Sequence, residues 1–226
     1  HVVCLGKIVV STALDGVVGF VVERSGDHRD LNRVDRRQRQ MCIRDRLPLD
    51  LSKFDKLDAL GPSILQRWEK LDILVANAGL LGPLSPLGHI TTDAWREVID
   101  VNLTANWLLI RAVDPLLKRS DAGRAIFVSS GAATGRNAYW GPYAVSTAGL
   151  EALAKTWANE LASTPVKVNI VNPGPIRTGM RAKAYPGEKP ETVKTPDDIA
   201  PLFVKLASPA WTATGQIHDF KTGDVH

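Results

Sequence analysis

Cysteine is nearly absent from this chain of 226 residues: Cys4 and Cys42 are the two present. Two cysteines cannot build the disulfide framework of a small secreted scaffold, and neither lies in a metal-ligand spacing. A reducing cytoplasm is therefore the expected compartment, with no metal site. The five histidines, at positions 1, 28, 89, 218 and 226, do not cluster either. No apolar run reaches the roughly 18 residues that a membrane helix needs, so no membrane partner is expected. Apolar residues are not scarce overall: 44% of the chain is hydrophobic and 23% charged, which excludes a disordered tail and suits one globular domain.

The net charge of +4 has no broad basic face behind it. Seven arginines and three aspartates lie between Arg29 and Arg46, so the whole excess falls in one short stretch. A protein that grips a phosphate backbone spreads its basic residues over a docking surface, and nucleic acid is excluded as a partner on that ground.

From Leu47 onward the chain alternates short apolar runs with amphipathic stretches. Leu71–Ala76, Arg124–Ser129 and Val166–Val171 read as buried strands, and Thr92–Lys118 and Pro142–Ala162 carry helical spacing. Alternating strand and helix predicts an α/β fold, a three-layer sandwich around a doubly wound parallel sheet of Rossmann type. Ligands of such sheets bind beyond the carboxyl ends of the strands.

Residues 1–46 follow another grammar. His1–Gly6 reads as one strand, Lys7–Val22 is apolar without a clear period, and Ser25–Arg46 has few large apolar residues. The hexapeptide Met41–Arg46 is compatible with the codons ATGTGTATAAGAGACAG, the transposase end sequence of sequencing-library preparation, and is read as translated adapter. The expected organisation is an atypical segment over 1–46 and a domain over 47–226.

Four local patterns follow in order. Asn77-Ala78-Gly79 closes a strand, Asn102 lies within a helix, Ser130 follows a strand end with Tyr143 thirteen residues on at a helix start, and Asn172-Pro173-Gly174-Pro175-Ile176-Arg177-Thr178 ends a further strand. Over residues 47–222 this set resembles the short-chain dehydrogenase/reductase family. The resemblance implies an oxidoreductase that moves hydride between NAD or NADP and a small-molecule carbonyl or alcohol. Reduction of a carbonyl develops negative charge on oxygen. Tyr143 would meet it with a proton and Ser130 with a hydrogen bond, while Asn102 would hold a relay water. Asp50 with Leu51 would contact adenine, Asn77, Ala78 and Gly79 would line the adenosine, and Pro173, Gly174 and Ile176 would border the nicotinamide. Thr178 would contact the cofactor's amide or phosphate, and residues 179–193 would form a substrate lid. Family members pair through the tyrosine helix and the long helix before it, which implies a homodimer or homotetramer.

Two departures from the family bear on activity. Thr147 stands where the Tyr-x-x-x-Lys pattern places a lysine, one helical turn from Tyr143, and Lys155 is two turns further on. A threonine can donate a hydrogen bond but brings no charge to lower the tyrosine's pKa. The family's Thr-Gly-x-x-x-Gly-x-Gly loop has no counterpart, and Gly16 and Gly19 have the wrong spacing. With His1–Gly6 read as the family's second strand, Lys7 would sit near the adenosine ribose, and the first strand and glycine loop would be missing. The alternative expectation is thus a catalytically impaired relative that keeps the scaffold.

Overall fold

The computed structural model describes residues 8–14, 17–23 and 45–226, with side-chain detail from Leu49 onward. Seven strands form one sheet: β1 (Ile8–Leu14), β2 (Val17–Glu23), β3 (Asp45–Pro48), β4 (Ile73–Ala76), β5 (Arg124–Val128), β6 (Lys167–Asn172) and β7 (Ile217–Asp219). Their order is β3-β2-β1-β4-β5-β6-β7. β1, β4, β5, β6 and β7 run parallel to one another, whereas β2 is antiparallel to both β1 and β3.

Connection length explains the split. Parallel neighbours need a crossover, and helices supply it throughout the second half of the chain. α1 (Phe54–Leu57) and α2 (Leu60–Trp68) lead into β4, α3 (Thr92–Ile99) and α4 (Ala105–Leu117) into β5, and α5 (Gly141–Glu160) into β6. α6 (Gly179–Ala184) and α7 (Pro196–Ala207) lead into β7. Two residues, Asp15 and Gly16, separate β1 from β2, which is room for a hairpin and for no helix. Asp-Gly between β-branched runs is a strong hairpin signal, and the reading of Lys7–Val22 as a stretch without period missed it.

The first strand of the sheet therefore differs from expectation. Ile8–Leu14 lies beside β4 at the centre of the sheet, so the expected gap there is filled. His1–Gly6 and Lys7, read as a strand and a ribose neighbour, lie outside the described residues, as do Gly16 and most of the adapter-like hexapeptide. Asp45 and Arg46, the last two residues of that hexapeptide, belong to β3 and pair with β2. β3 ends at Pro48, and Asp50 stands two residues beyond it.

From β4 on, strand alternation builds the two cores. Leu74, Ala76, Ala125, Phe127, Val168 and Ile170 face one side of the sheet, where they pack with α1, α2, α4 and α5. Ile73, Ile126 and Val171 face the other, against Ile199, Leu206 and Ala207 of α7. Period-two burial on both faces is what a central parallel strand requires, and it gives the three layers expected.

At the amino-terminal edge of this sheet Arg124 is buried without a carboxylate. Its guanidinium donates instead to the carbonyls of Gly123, Pro165, Ser208, Pro209 and Trp211 at 2.8–3.3 Å. Burial lowers its pKa, and the carbonyls supply the negative ends of dipoles that a charged group needs when it leaves water. This cage ties the start of β5 to the chain after α7.

Candidate functional site

β4, β5 and β6 are parallel, so their carboxyl ends lie along one edge. Asn77-Ala78-Gly79, Ser129-Ser130 and Pro173-Gly174 leave the sheet there side by side. After β5 the chain makes a short 3₁₀ turn over Gly131–Thr134, and the Ser130 hydroxyl caps it by accepting the Ala132 N–H at 3.2 Å. α5 begins at Gly141 with Pro142 in its first turn, where a missing N–H costs nothing. Tyr143 follows on the first turn of α5, where the Ser130 side chain is near enough to act on its phenol.

Two opposed effects act on the Tyr143 phenol. Burial pushes its pKa above the ordinary tyrosine value, and the Ser130 hydrogen bond pulls it down; burial prevails. Thr147 does not face the phenol's oxygen as a donor. Its buried hydroxyl donates to the Tyr143 and Ala144 carbonyls at 2.8 and 3.1 Å, inside its own helix. This is the back-bonding usual for a mid-helix threonine.

Asn102 sits at the centre of a single π-helical turn, Asp100–Thr104, between α3 and α4. It is only 3% exposed, and its side chain is fully used. Oδ1 accepts the Leu80 N–H at 2.7 Å, while Nδ2 donates to the Leu80 carbonyl at 2.9 Å and to Ser146 Oγ at 3.0 Å. A β-carbon placed on Gly79 would stand 3.6 Å from that Oδ1. Asn102 thus fixes the Asn77-Ala78-Gly79 segment to α5. Its own carbonyl accepts from Asn106 Nδ2 at 2.8 Å.

The remaining expected residues spread along the same edge. Asp50 is held in a tight turn: its Oδ1 accepts the Ser52 N–H at 2.9 Å and the Ser52 hydroxyl at 2.7 Å, and these bonds lower its pKa. Leu51 is a core residue, so only its backbone can face a ligand. Gly174 has φ of 65°, the left-handed region that favours glycine, and its N–H bonds Asn172 Oδ1 at 3.2 Å. Asn172 in turn donates to Asp219 Oδ2 at 2.7 Å, joining the ends of β6 and β7. Ile176 is buried against α7 and bridges to Lys194. Thr178 caps α6, its hydroxyl accepting the Arg181 N–H at 3.1 Å.

Four residues that the sequence does not single out, Trp140, Arg181, Tyr185 and Glu188, join this group. Trp140 lies edge-on to Tyr143 with ring centres 5.8 Å apart, and at the same distance from Tyr185. Arg181 stacks over Tyr185 at 3.7 Å and is gripped by both oxygens of Glu188 at 2.7 and 2.6 Å. The expected lid, 179–193, is therefore α6 and a following 3₁₀ turn, Pro190–Thr192, with an aromatic wall against the tyrosine. Trp140, three residues before Tyr143, was the one available signal. Ser146, the Asn102 partner, had none. A separate groove of about 350 Å³ between α2 and α4, lined by Leu65, Arg111 and Pro115 among others, lies on the helical layer and holds no comparable set of hydroxyls.

A family model described as short chain dehydrogenase matches residues 13–189. That span is more than half of the chain and contains the whole edge from Asp50 to Thr178. The chain belongs to the short-chain dehydrogenase family. The uncharacterized oxidoreductase YciK of Escherichia coli, strain K12, is 38% identical over 165 residues, which is 73% of this chain and 65% of YciK. The chain thus spans just under two thirds of that relative's length. A short chain dehydrogenase from Salmonella enterica serovar Typhi superposes with a TM-score of 0.73 at 37% identity, covering 76% of this chain and 72% of that one. One from Shigella flexneri 2a, solved in complex with NADP, gives 0.72 at 37% identity with the same coverage.

As a short-chain dehydrogenase the chain can be tested for fit to a dinucleotide. Left-handed Gly174 and the Ser130–Tyr143 pair, at one edge of the sheet, would take the nicotinamide end. Asp50 and the Asn77-Ala78-Gly79 segment, which Asn102 ties to α5 through Leu80 and Ser146, would take the adenosine end. At the diphosphate, the two-residue β1–β2 connection leaves no helix to offer an N-terminus, the usual partner of such a group. Among the described residues no group of His, Cys, Asp or Glu could hold a metal, and no helix is long and apolar enough to cross a membrane.

Proposed function

We propose that the chain is an NAD- or NADP-dependent oxidoreductase acting on a small carbonyl or alcohol. The Ser130–Tyr143 hydroxyl pair at the strand edge carries this reading, since it places a proton and a hydrogen-bond donor at one point. The bound nicotinamide would supply or accept the hydride. Tyr143, protonated at neutral pH because burial holds its pKa high, serves as the acid that gives a proton to the oxygen of a carbonyl being reduced. Ser130 orients that oxygen. Asn102 fixes the adenosine-side segment against α5 and leaves its carbonyl side toward α4. Gly174 and Ile176 shape the nicotinamide side, and Thr178 starts the lid.

The wall of Trp140 and Tyr185 supports an apolar substrate body beside the reacting oxygen. The same charge state sets a direction: reduction needs the phenol, oxidation of an alcohol needs the phenolate, so reduction is the faster direction at neutral pH. The reading is tested by following nicotinamide absorbance with the purified chain, a panel of apolar ketones and either cofactor. Turnover that Tyr143→Phe and Ser130→Ala each abolish supports it; turnover untouched by both refutes it.

A second reading, an impaired relative, is favoured by Thr147, whose hydroxyl is spent on its own helix, and by the β1–β2 hairpin. Cofactor binding without turnover would decide for it. We further place the chain in the cytoplasm as a homodimer or homotetramer paired through α4 and α5. Trp107 on α4 and Val145 on α5 are 49% and 47% exposed and leave apolar surface on both helices for a second copy to cover.

A further inference from the structure

Ser130 can meet Tyr143 only if the end of β5 is held at a fixed distance from α5. Successive residues of an extended strand point to opposite sides, so Ser129 faces away from the site when Ser130 faces it. Ser129 is 3% exposed; its N–H donates to the Val171 carbonyl at 2.8 Å, and its hydroxyl donates to Glu151 Oε1 at 2.5 Å. A hydroxyl that donates to a carboxylate makes a charge-assisted hydrogen bond. Glu151 stands eight residues after Tyr143 on α5, two turns along and on the same stripe as Thr147. One helix therefore carries both the phenol that meets Ser130 and the carboxylate that holds its neighbour. Neither the adenosine-side contacts nor the aromatic wall performs that task.

Resting on the Ser130–Tyr143 reading above, we infer that Glu151 is a positioning residue: through Ser129 it clamps the end of β5 to α5 and so holds the Ser130 hydroxyl on the Tyr143 oxygen. Glu151 touches neither the phenol nor Ser130 and acts only through this clamp. Its loss would weaken the Ser130 bond without altering the burial of Tyr143. The tyrosine's titration then reads the clamp directly, since burial and Ser130 are the two causes of its displacement.

The chain has three tyrosines, so Tyr139→Phe and Tyr185→Phe leave Tyr143 alone. Labelled with 3-fluorotyrosine, which titrates nearer neutrality, the full chain without cofactor gives one fluorine NMR signal to follow with pH. Glu151→Gln keeps an acceptor for Ser129 and Glu151→Ala does not, while both remove the charge. The expected midpoint is about half a pH unit higher in Glu151→Ala than in Glu151→Gln, and about one unit higher in Ser130→Ala than in the parent. If Glu151→Ala does not fold, Ser129→Ala removes the donor of the same bond and is expected to give the same rise. Coincident midpoints for the alanine and glutamine variants, with Ser130→Ala still raised, overturn the clamp alone. A Ser130→Ala midpoint equal to the parent's overturns the Ser130–Tyr143 reading and the clamp with it.

Discussion

Restoring a cation at position 147 tests the chemistry of the site most directly. Thr147→Lys places an ammonium one turn from Tyr143, with β-carbons roughly 5–6 Å apart. At about 6 Å and an effective dielectric near 20, two unit charges interact by about 3 kcal/mol. At about 1.4 kcal/mol per unit, that lowers the phenol's pKa by about two units, within the range usual for a neighbouring opposite charge. The present phenol is raised by burial, so the shift brings it back toward the working pH and improves it in both directions. General acid–base catalysis contributes roughly 10²–10⁴-fold, and a gain of about 10² in kcat is expected. Thr147 is 5% exposed and its hydroxyl makes two helix bonds, so the longer side chain also strains the packing by about 1–3 kcal/mol. The assay is the pH dependence of kcat/KM for alcohol oxidation, in which the phenolate is the reactive form. The parent's rate climbs until pH passes the raised pKa, and the variant's climb ends about two units lower. Equal turnover with an unmoved profile would refute the argument.

Removing the aromatic wall acts on binding rather than on chemistry. Trp140→Ala is expected to raise KM for apolar ketones about tenfold with kcat little changed, as steady-state kinetics will show, because the indole touches Tyr143 by its edge and carries no proton. Asn102→Ala leaves the Leu80 N–H and carbonyl without their partner, a loss of about 2–4 kcal/mol in denaturant unfolding at roughly 1–3 kcal/mol per unsatisfied group. Arg124→Met strands the five carbonyls that its guanidinium now satisfies and is expected to cost about 3–5 kcal/mol by the same measurement, with kinetics of the folded fraction unchanged.

Much of the site was legible in one dimension because its chemistry depends on spacing. Ser130 and Tyr143 stand thirteen residues apart with a strand end before one and a helix start at the other, and the fold brings their hydroxyls together. Asn77-Ala78-Gly79 and Pro173-Gly174 follow the ends of β4 and β6, and strand ends in a parallel sheet share an edge. The side chain of Leu51 lies in the core, and spacing alone cannot say which part of a residue faces a ligand. Asp15-Gly16 between two β-branched runs signals the β1–β2 pairing, a turn chemistry that glycine-loop spacing does not capture.

The sequence by itself determined the family, the alternation of strand and helix and the absence of a lysine at 147, since each is a matter of residue type at a given separation. Tertiary structure alone decided what those residues touch. It spent the Thr147 hydroxyl on the Tyr143 and Ala144 carbonyls, used every side-chain hydrogen bond of Asn102 on Leu80 and Ser146, and put Glu151 behind Ser129. It also set Trp140 between Tyr143 and Tyr185. Such pairings join residues up to 45 positions apart along the chain. Hydrogen bonds act over about 3 Å and ring contacts over about 6 Å, and only the packing of β5 and the lid against α5 brings those groups within that reach.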